Sequence, residues 1–77
     1  MAVVIVHGGE YKGERVEVRG GRLVIGRSLE SDIILRDSEV SSRHAQIIQR
    51  NKIFWLQDLG STNGTLVKED KIMLRKF

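Results

Sequence analysis

The sequence predicts an all-β domain, a sandwich or barrel made of short strands. Three observations lead to that class. Apolar residues come in short β-branched runs or in strict alternation, and no segment carries a wide apolar stripe at helical spacing. About eight such runs follow one another closely, with turn residues between them. No proline interrupts any of them. At 77 residues the chain is one domain, 1–77. A chain of this size buries only about 60% of the surface it exposes when unfolded, so its stability margin is thin.

Taken in order, Val3 to Val6 is a continuous apolar run suited to a buried strand, closed by Gly8-Gly9. From Arg15 to Arg19 the pattern has period 2. Val16 and Val18 face one way and Arg15, Glu17 and Arg19 the other, which makes a strand with one wet face. Gly20-Gly21 then separates this run from Leu23-Val24-Ile25, and the pair reads as a hairpin. Ser28 to Asp32 is polar and turn-like. Ile33-Ile34-Leu35 is a short apolar run closed by Arg36-Asp37-Ser38. Val40 to Arg43 reads as a loop and His44 to Gln49 as a strand, because a helix there would lack an apolar stripe. After a turn at Arg50-Asn51-Lys52, Ile53-Phe54-Trp55-Leu56 holds the largest apolar residues of the chain and is the expected heart of the core. Thr65-Leu66-Val67 is a short strand, Lys68 to Asp70 a turn, and Ile72-Met73-Leu74 the start of another strand.

Composition narrows the function classes. There is no cysteine, hence no disulfide framework and no thiolate chemistry. That fits an intracellular setting, cytoplasmic or nuclear. His7 and His44 are far apart and lack spaced carboxylate partners, so neither a metal nor a cofactor is expected. No apolar run reaches the roughly 20 residues of a membrane span, and Ala2 to Val6 is too short and lacks the basic leader of a signal peptide. Neither a membrane nor a nucleic acid is an expected partner. The net charge of +3 is spread among mixed signs, and Phe54 and Trp55 fall in a run that reads as buried rather than as a stacking platform.

Three short polar stretches stand out between the apolar runs: Gly26-Arg27, Ser41-Ser42-Arg43-His44, and Gly60-Ser61-Thr62-Asn63-Gly64-Thr65. Together they hold the parts of a phosphate site. A phosphate monoester carries about −1.5 to −2 charges and three strong acceptor oxygens. Arg27 offers a planar cation that can meet two oxygens at once. Ser41, Ser42 and Thr62 offer hydroxyls. Asn63 offers an amide that both donates and accepts, as an extended peptide backbone requires. Each stretch also has a plain reading: a strand end with a surface arginine, ordinary loop serines, a structural histidine, and an Asn-Gly hairpin turn. The last can be a turn and a site at once.

The combination is more specific than its parts. Gly26-Arg27, then Ser31-Asp32-Ile33, then Ser41-x-x-His44-Ala45, then Asp58-Leu59-Gly60-Ser61-Thr62-Asn63-Gly64-Thr65 resembles the forkhead-associated (FHA) domain over about half the chain. The resemblance implies a twisted β-sandwich of two largely antiparallel sheets that binds phosphothreonine-containing peptides or proteins in signalling or assembly and catalyses nothing. It implies that Arg27 and Ser41 hold the phosphate and that Thr62 adds to those contacts or shapes their loop. Asn63 would bond the ligand main chain, and Gly26, His44 and Gly64 would support the site structurally. Ser42 falls where many members carry Asn or a basic residue that also reaches the ligand, so its reach is shorter. Members usually run on into a final hairpin, which is expected to be missing here. An unpaired strand edge would follow, and a homodimer through that edge is one expectation. Two other readings remain. One is a scaffold or oligomerisation domain with a degenerate phosphate site. The other is a hydrolase triad from Ser41, His44 and Asp58, disfavoured because the chain has no Gly-x-Ser-x-Gly elbow.

Overall fold

The computed structural model describes residues 3–5, 12–67 and 70–76, and among these described residues there are nine strands and no helix. They are β1 (Val3–Ile5), β2 (Arg15–Glu17), β3 (Arg22–Gly26), β4 (Ile33–Ile34), β5 (Ala45–Arg50), β6 (Ile53–Asp58), β7 (Thr65–Val67), β8 (Asp70–Ile72) and β9 (Leu74–Lys76). The all-β class holds. The expected close of the first run at Val6 and Gly8-Gly9 lies outside the described residues, as do His7, Lys68, Glu69 and Phe77.

Hydrogen bonding groups the described strands into one five-stranded and two two-stranded sheets. The largest has five strands in the order β4-β3-β5-β6-β9, antiparallel except for the parallel pair β3–β4. β1 pairs antiparallel with β2, and β7 with β8. The β1–β2 pair lies over one face of the five-stranded sheet. There Val4 and Val16 pack against a buried cluster of Val18, Leu23 and Ile33, joined by Ile25, Leu35, Ile47 and Phe54. Leu23 is the most enclosed residue, at 2% exposure.

Three expectations need correction here. Gly20 and Gly21 do make a turn, with φ of 65° and 75° and a bond from the Arg22 N–H to the Arg19 carbonyl at 3.4 Å. It is not a hairpin, because β2 pairs with β1 and β3 with β4 and β5. The turn carries the chain from one layer to the other, with Val18 and Leu23 entering the core on either side of it. A Gly-Gly turn fixes local direction but not which strands pair, and here burial of Val18 decides.

The second correction concerns Ile53 to Leu56, which is half-buried along its whole length rather than the centre of the core. Successive strand residues face opposite ways, so four apolar residues in a row cannot all enter one core. Phe54 packs on the buried cluster. Trp55 opens onto the other face of the sheet, where it lines a groove of about 460 Å³ with Ile48, Ile53 and Leu74. The run Ile72-Met73-Leu74 is also split. β8 ends at Ile72, Met73 is a bend with 76% of its surface exposed, and β9 begins at Leu74.

The β5–β6 connection is a two-residue turn in which Asn51 and Lys52 have φ of 51° and 65°. It holds a six-pair register from Ala45↔Asp58 to Arg50↔Ile53. That register brings the N-terminal end of β5 beside the C-terminal end of β6, and so brings the residues before Ala45 close to those after Asp58.

β3 reaches the same end of the sheet. Beyond it the Arg27 and Ser28 N–H groups donate to the carbonyls of Ser41 and Ser42 at 3.0 and 3.1 Å. The approach is so close that a Cβ on Gly26 would sit 2.2 Å from the Ser42 carbonyl oxygen and 3.1 Å from the Arg43 Cα. Both neighbours are backbone, so no side chain can swing away. Gly26→Ala is therefore expected to destabilise the fold by about 1–3 kcal/mol, the usual range for overpacking. At about 4–8 °C per kcal/mol for a domain of this size, a melt monitored by circular dichroism reads this directly. An unchanged midpoint would mean that the Ser41–Arg43 backbone can give way.

Candidate functional site

Four segments meet at the end of the sheet where β3 and β6 finish and β5 begins. His44 joins three of them. Its Nδ1 accepts the Ser41 N–H at 3.1 Å, and its Nε2 lies 2.8 Å from the Gly64 carbonyl. A carbonyl can only accept, so the proton sits on Nε2 and Nδ1 is the acceptor. Its backbone is fixed as well, with the His44 N–H donating to the Ile25 carbonyl and the Leu59 N–H to the His44 carbonyl, both at 2.9 Å. The half-buried ring thus ties the Ser41 loop to the Gly64 loop.

The Gly60–Gly64 loop has its own anchor in Asp58, the last residue of β6. One carboxylate oxygen accepts the N–H groups of Gly60 and Ser61 at 3.0 and 3.1 Å. The other accepts the hydroxyls of Ser61 and of Thr65, the latter at 2.7 Å. Gly64 closes the loop with φ of 86°, a conformation that suits glycine. Partial burial alone would raise the Asp58 pKa, but the four hydrogen bonds outweigh it and hold the carboxyl below its ordinary value of 3.8.

The residues that the sequence motifs single out for ligand contact are arrayed on this frame. The Ser41 hydroxyl oxygen accepts the Thr62 N–H at 3.0 Å, which bridges the two loops and still leaves the hydroxyl proton to donate elsewhere. Thr62 is exposed, and no hydrogen bond engages its hydroxyl among the described residues. Asn63 is exposed, and its Nδ2 donates to the Glu39 carbonyl at 3.0 Å and to a Glu39 carboxylate oxygen at 2.8 Å. Arg27 is exposed and tied to Ser41 through the backbone; among the described residues its guanidinium makes neither an ion pair nor a hydrogen bond. The structure thus brings Arg27, Ser41, Thr62 and Asn63 together at one end of the fold. Ser42 differs: it lines a neighbouring groove with Ser28, Glu30, Ser31 and Arg43, and no hydrogen bond joins its side chain to the Thr62–Asn63 loop.

The triad residue types form no relay. Both ring nitrogens of His44 are taken by backbone groups, the Ser41 hydroxyl faces the Thr62 amide, and the Asp58 carboxylate is occupied by its own loop.

Sequence reasoning gave Asp58 too small a part. The signal was present: an Asp followed within three residues by Gly and Ser is the pattern of a side chain closing a turn on its own backbone. Ser31 was likewise only a motif letter, yet it is buried at 8% exposure with its hydroxyl donating to the Ser42 carbonyl at 3.4 Å. Asp32 takes the Val24 N–H at 2.7 Å, which fixes the start of β4 against β3.

Comparison with known proteins agrees with this geometry. Residues 23–76 match the family model of the FHA domain. The chain is 35% identical over 69 residues to the FHA domain-containing protein FhaB of Mycobacterium tuberculosis, covering 90% of this chain and 44% of that protein. It therefore spans less than half the length of that relative. Among solved structures, an FHA domain studied for phosphothreonine-dependent interactions superposes with a TM-score of 0.80 at 32% identity, covering 88% of this chain and 71% of that one. The FhaA FHA domain complexed with the intracellular domain of Rv3910 gives 0.79 at 32% identity, covering 88% and 75%.

Asp58 sets an acid limit on the loop. Its pKa is lower folded than unfolded, so the unfolded chain binds the proton more readily. Its contribution to stability is complete above the unfolded value and is lost as pH falls through the folded one. Urea midpoints measured from pH 7 down to 3 should fall below about pH 4, and Asp58→Asn should show a smaller fall from a lower starting point. Parallel curves for the two proteins would contradict this role.

Proposed function

This chain belongs to the FHA domain family, and from that premise we propose that it is a phosphothreonine-dependent peptide- or protein-binding module rather than an enzyme. Arg27 and the Ser41 hydroxyl hold the phosphate, Thr62 adds a donor or shapes the loop, and Asn63 bonds the ligand main chain. Ser42 has at most a lesser part. The observation that carries this reading is the bridging of two loops by Ser41 beside an arginine whose guanidinium has no partner among the described residues. The Arg27 N–H meets the Ser41 carbonyl at 3.0 Å, and the Ser41 hydroxyl meets the Thr62 N–H at 3.0 Å.

The chemistry follows from those contacts. A dianionic phosphate prefers donors already held in place, because ordering them on binding costs conformational entropy. The Ser41 and Gly64 backbones are fixed by His44, the Gly60 and Ser61 backbones by Asp58, and the Thr62 N–H by the Ser41 hydroxyl, before any ligand arrives. The guanidinium of Arg27 supplies the countercharge on a mobile stem, and its fork can meet two phosphate oxygens. Binding calls for little backbone rearrangement, and no bond of the ligand is made or broken.

The FHA domains to which the chain is similar, one of them studied for phosphothreonine-dependent interactions, support the class of function.

A charge-assisted hydrogen bond contributes about 1.5–3 kcal/mol, so loss of two such bonds on Arg27→Ala should weaken a phosphothreonine peptide by at least about a hundredfold. Calorimetric titration against phosphothreonine, phosphoserine and unphosphorylated twins measures it. Parent-like affinity in Arg27→Ala would place the site elsewhere. Asn63→Ala should bind about five- to tenfold more weakly while keeping its dependence on the phosphate; loss of that dependence would assign Asn63 to the phosphate itself.

A further inference from the structure

The β1–β2 pair covers one face of the five-stranded sheet. Strand pairing fixes which residues stand on the other, because cross-strand partners share a face and so do residues two apart. Trp55 pairs with Ile48 on β5 and with Lys76 on β9. Ile53 pairs with Arg50, and Gln57 with Gln46 and Leu74. Phe54 takes the opposite phase and packs on the core. Ile48, Ile53, Trp55 and Leu74 thus line an apolar groove of about 460 Å³, and Leu74 keeps 53% of its surface exposed there. The polar groups beside them ask nothing of a ligand: the Gln46 amide donates to the Gln57 carbonyl oxygen at 2.7 Å.

The charges on this face have one sign. Arg50 and Lys76 are exposed on it, and neither forms an ion pair among the described residues. No carboxylate lines the groove among those residues. On the β3 side, Glu30 lines a separate groove together with Arg22 and Arg43, which outnumber it. We propose that the Trp55 face is a docking surface for an acidic peptide segment of a partner protein. An aromatic or aliphatic side chain of that segment seats in the groove, and its flanking carboxylates meet Arg50 and Lys76. The inference goes beyond the phosphopeptide reading and does not rest on it. A tryptophan in an apolar concavity with unpaired cations at its rim combines an anchor pocket with charge complementarity. A second copy fits less well, since a two-fold contact would set each cationic face against its twin. A nucleic acid fits less well because stacking needs open ring faces, and Trp55 is half-buried and the one aromatic side chain that the strand register places on this face.

Trp55 is the only tryptophan of the chain, so its fluorescence reports the groove directly. The probe is a short unphosphorylated peptide in which Phe and Leu alternate with Glu and Asp. One twin carries Lys in place of every Glu and Asp, and another carries Ser in place of every Phe and Leu. The acidic apolar peptide should shift the Trp55 emission to the blue and saturate, with amide shifts at Ile48, Trp55 and Leu74. Both twins should bind at least about fivefold more weakly. The double variant Arg50→Glu, Lys76→Glu changes two exposed side chains and so keeps the fold, which a melt checks. It should weaken the acidic peptide by at least about fivefold and bring the Lys twin level with it or above it. Equal binding of the acidic peptide and its Lys twin to the parent overturns the inference. So does unchanged affinity in the folded double variant, or the absence of any saturable response. Oligothymidylate or phosphatidylserine vesicles that quench or shift Trp55 more tightly than the acidic peptide would assign the face to nucleic acid or to lipid instead. An emission shift that follows protein concentration alone would assign it to a second copy. None of these outcomes touches the phosphopeptide reading, whose site lies at the loop end of the sheet.

Discussion

The imidazole of His44 is the contact on which the loop end of this domain depends. The strands bring the Ser41 loop and the Gly60–Gly64 loop to one end of the sheet, but strand pairing stops at Ala45 and Asp58. Past that point the ring takes over, accepting from the Ser41 amide and donating to the Gly64 carbonyl. Asp58 does the same within the second loop, and the Ser41 hydroxyl spans the gap to Thr62. The sequence of constraints runs from the β5–β6 register, through His44 and Asp58, to the exposed polar groups. Each step converts a buried or half-buried satisfaction requirement into a position at the surface.

This division of labour explains why so small a chain can hold a site. Among the described residues the buried hydrophobic side chains are Val18, Leu23, Ile33 and Ala45, and a thin core cannot impose loop geometry by packing alone. Hydrogen bonds from side chain to backbone do it instead, each contributing about 0.5–1.5 kcal/mol and each directional. No buried side-chain polar atom among the described residues lacks a partner, so these bonds carry no unsatisfied remainder that would offset them. Glu39 and Asn63 stand outside this frame: both are exposed, and their bond is of a kind that a ligand can exchange.

Much of this was legible in the residues. The all-β class followed from alternation and turn spacing, and β5 was placed within one residue of its observed start. Of the motif glycines, Gly64 is demanded locally by its own φ, whereas Gly26 is demanded by the approach of the Ser42 and Arg43 backbone from another motif. What escaped was non-local. Whether Gly20-Gly21 joins paired strands or carries the chain between layers depends on where Val18 is buried. Which of Phe54 and Trp55 faces the core depends on strand phase relative to β5, and four consecutive apolar residues do not reveal it. The Glu39–Asn63 contact joins residues 24 apart in sequence through exposed side chains, and neither hydropathy nor spacing records such a pair.

The central claim is that the polar residues gathered by His44 and Asp58 form one ligand surface for phosphothreonine. Amide chemical shifts followed during titration with a phosphothreonine peptide test it most directly, with the unphosphorylated twin as the reference. The account predicts the largest shifts at Arg27, Ser41, Thr62 and Asn63, little change at the Asn51-Lys52 turn at the far end of β5 and β6, and none of these shifts with the twin. Shifts centred on the groove at Ile48, Trp55 and Leu74, or identical for both peptides, would contradict it.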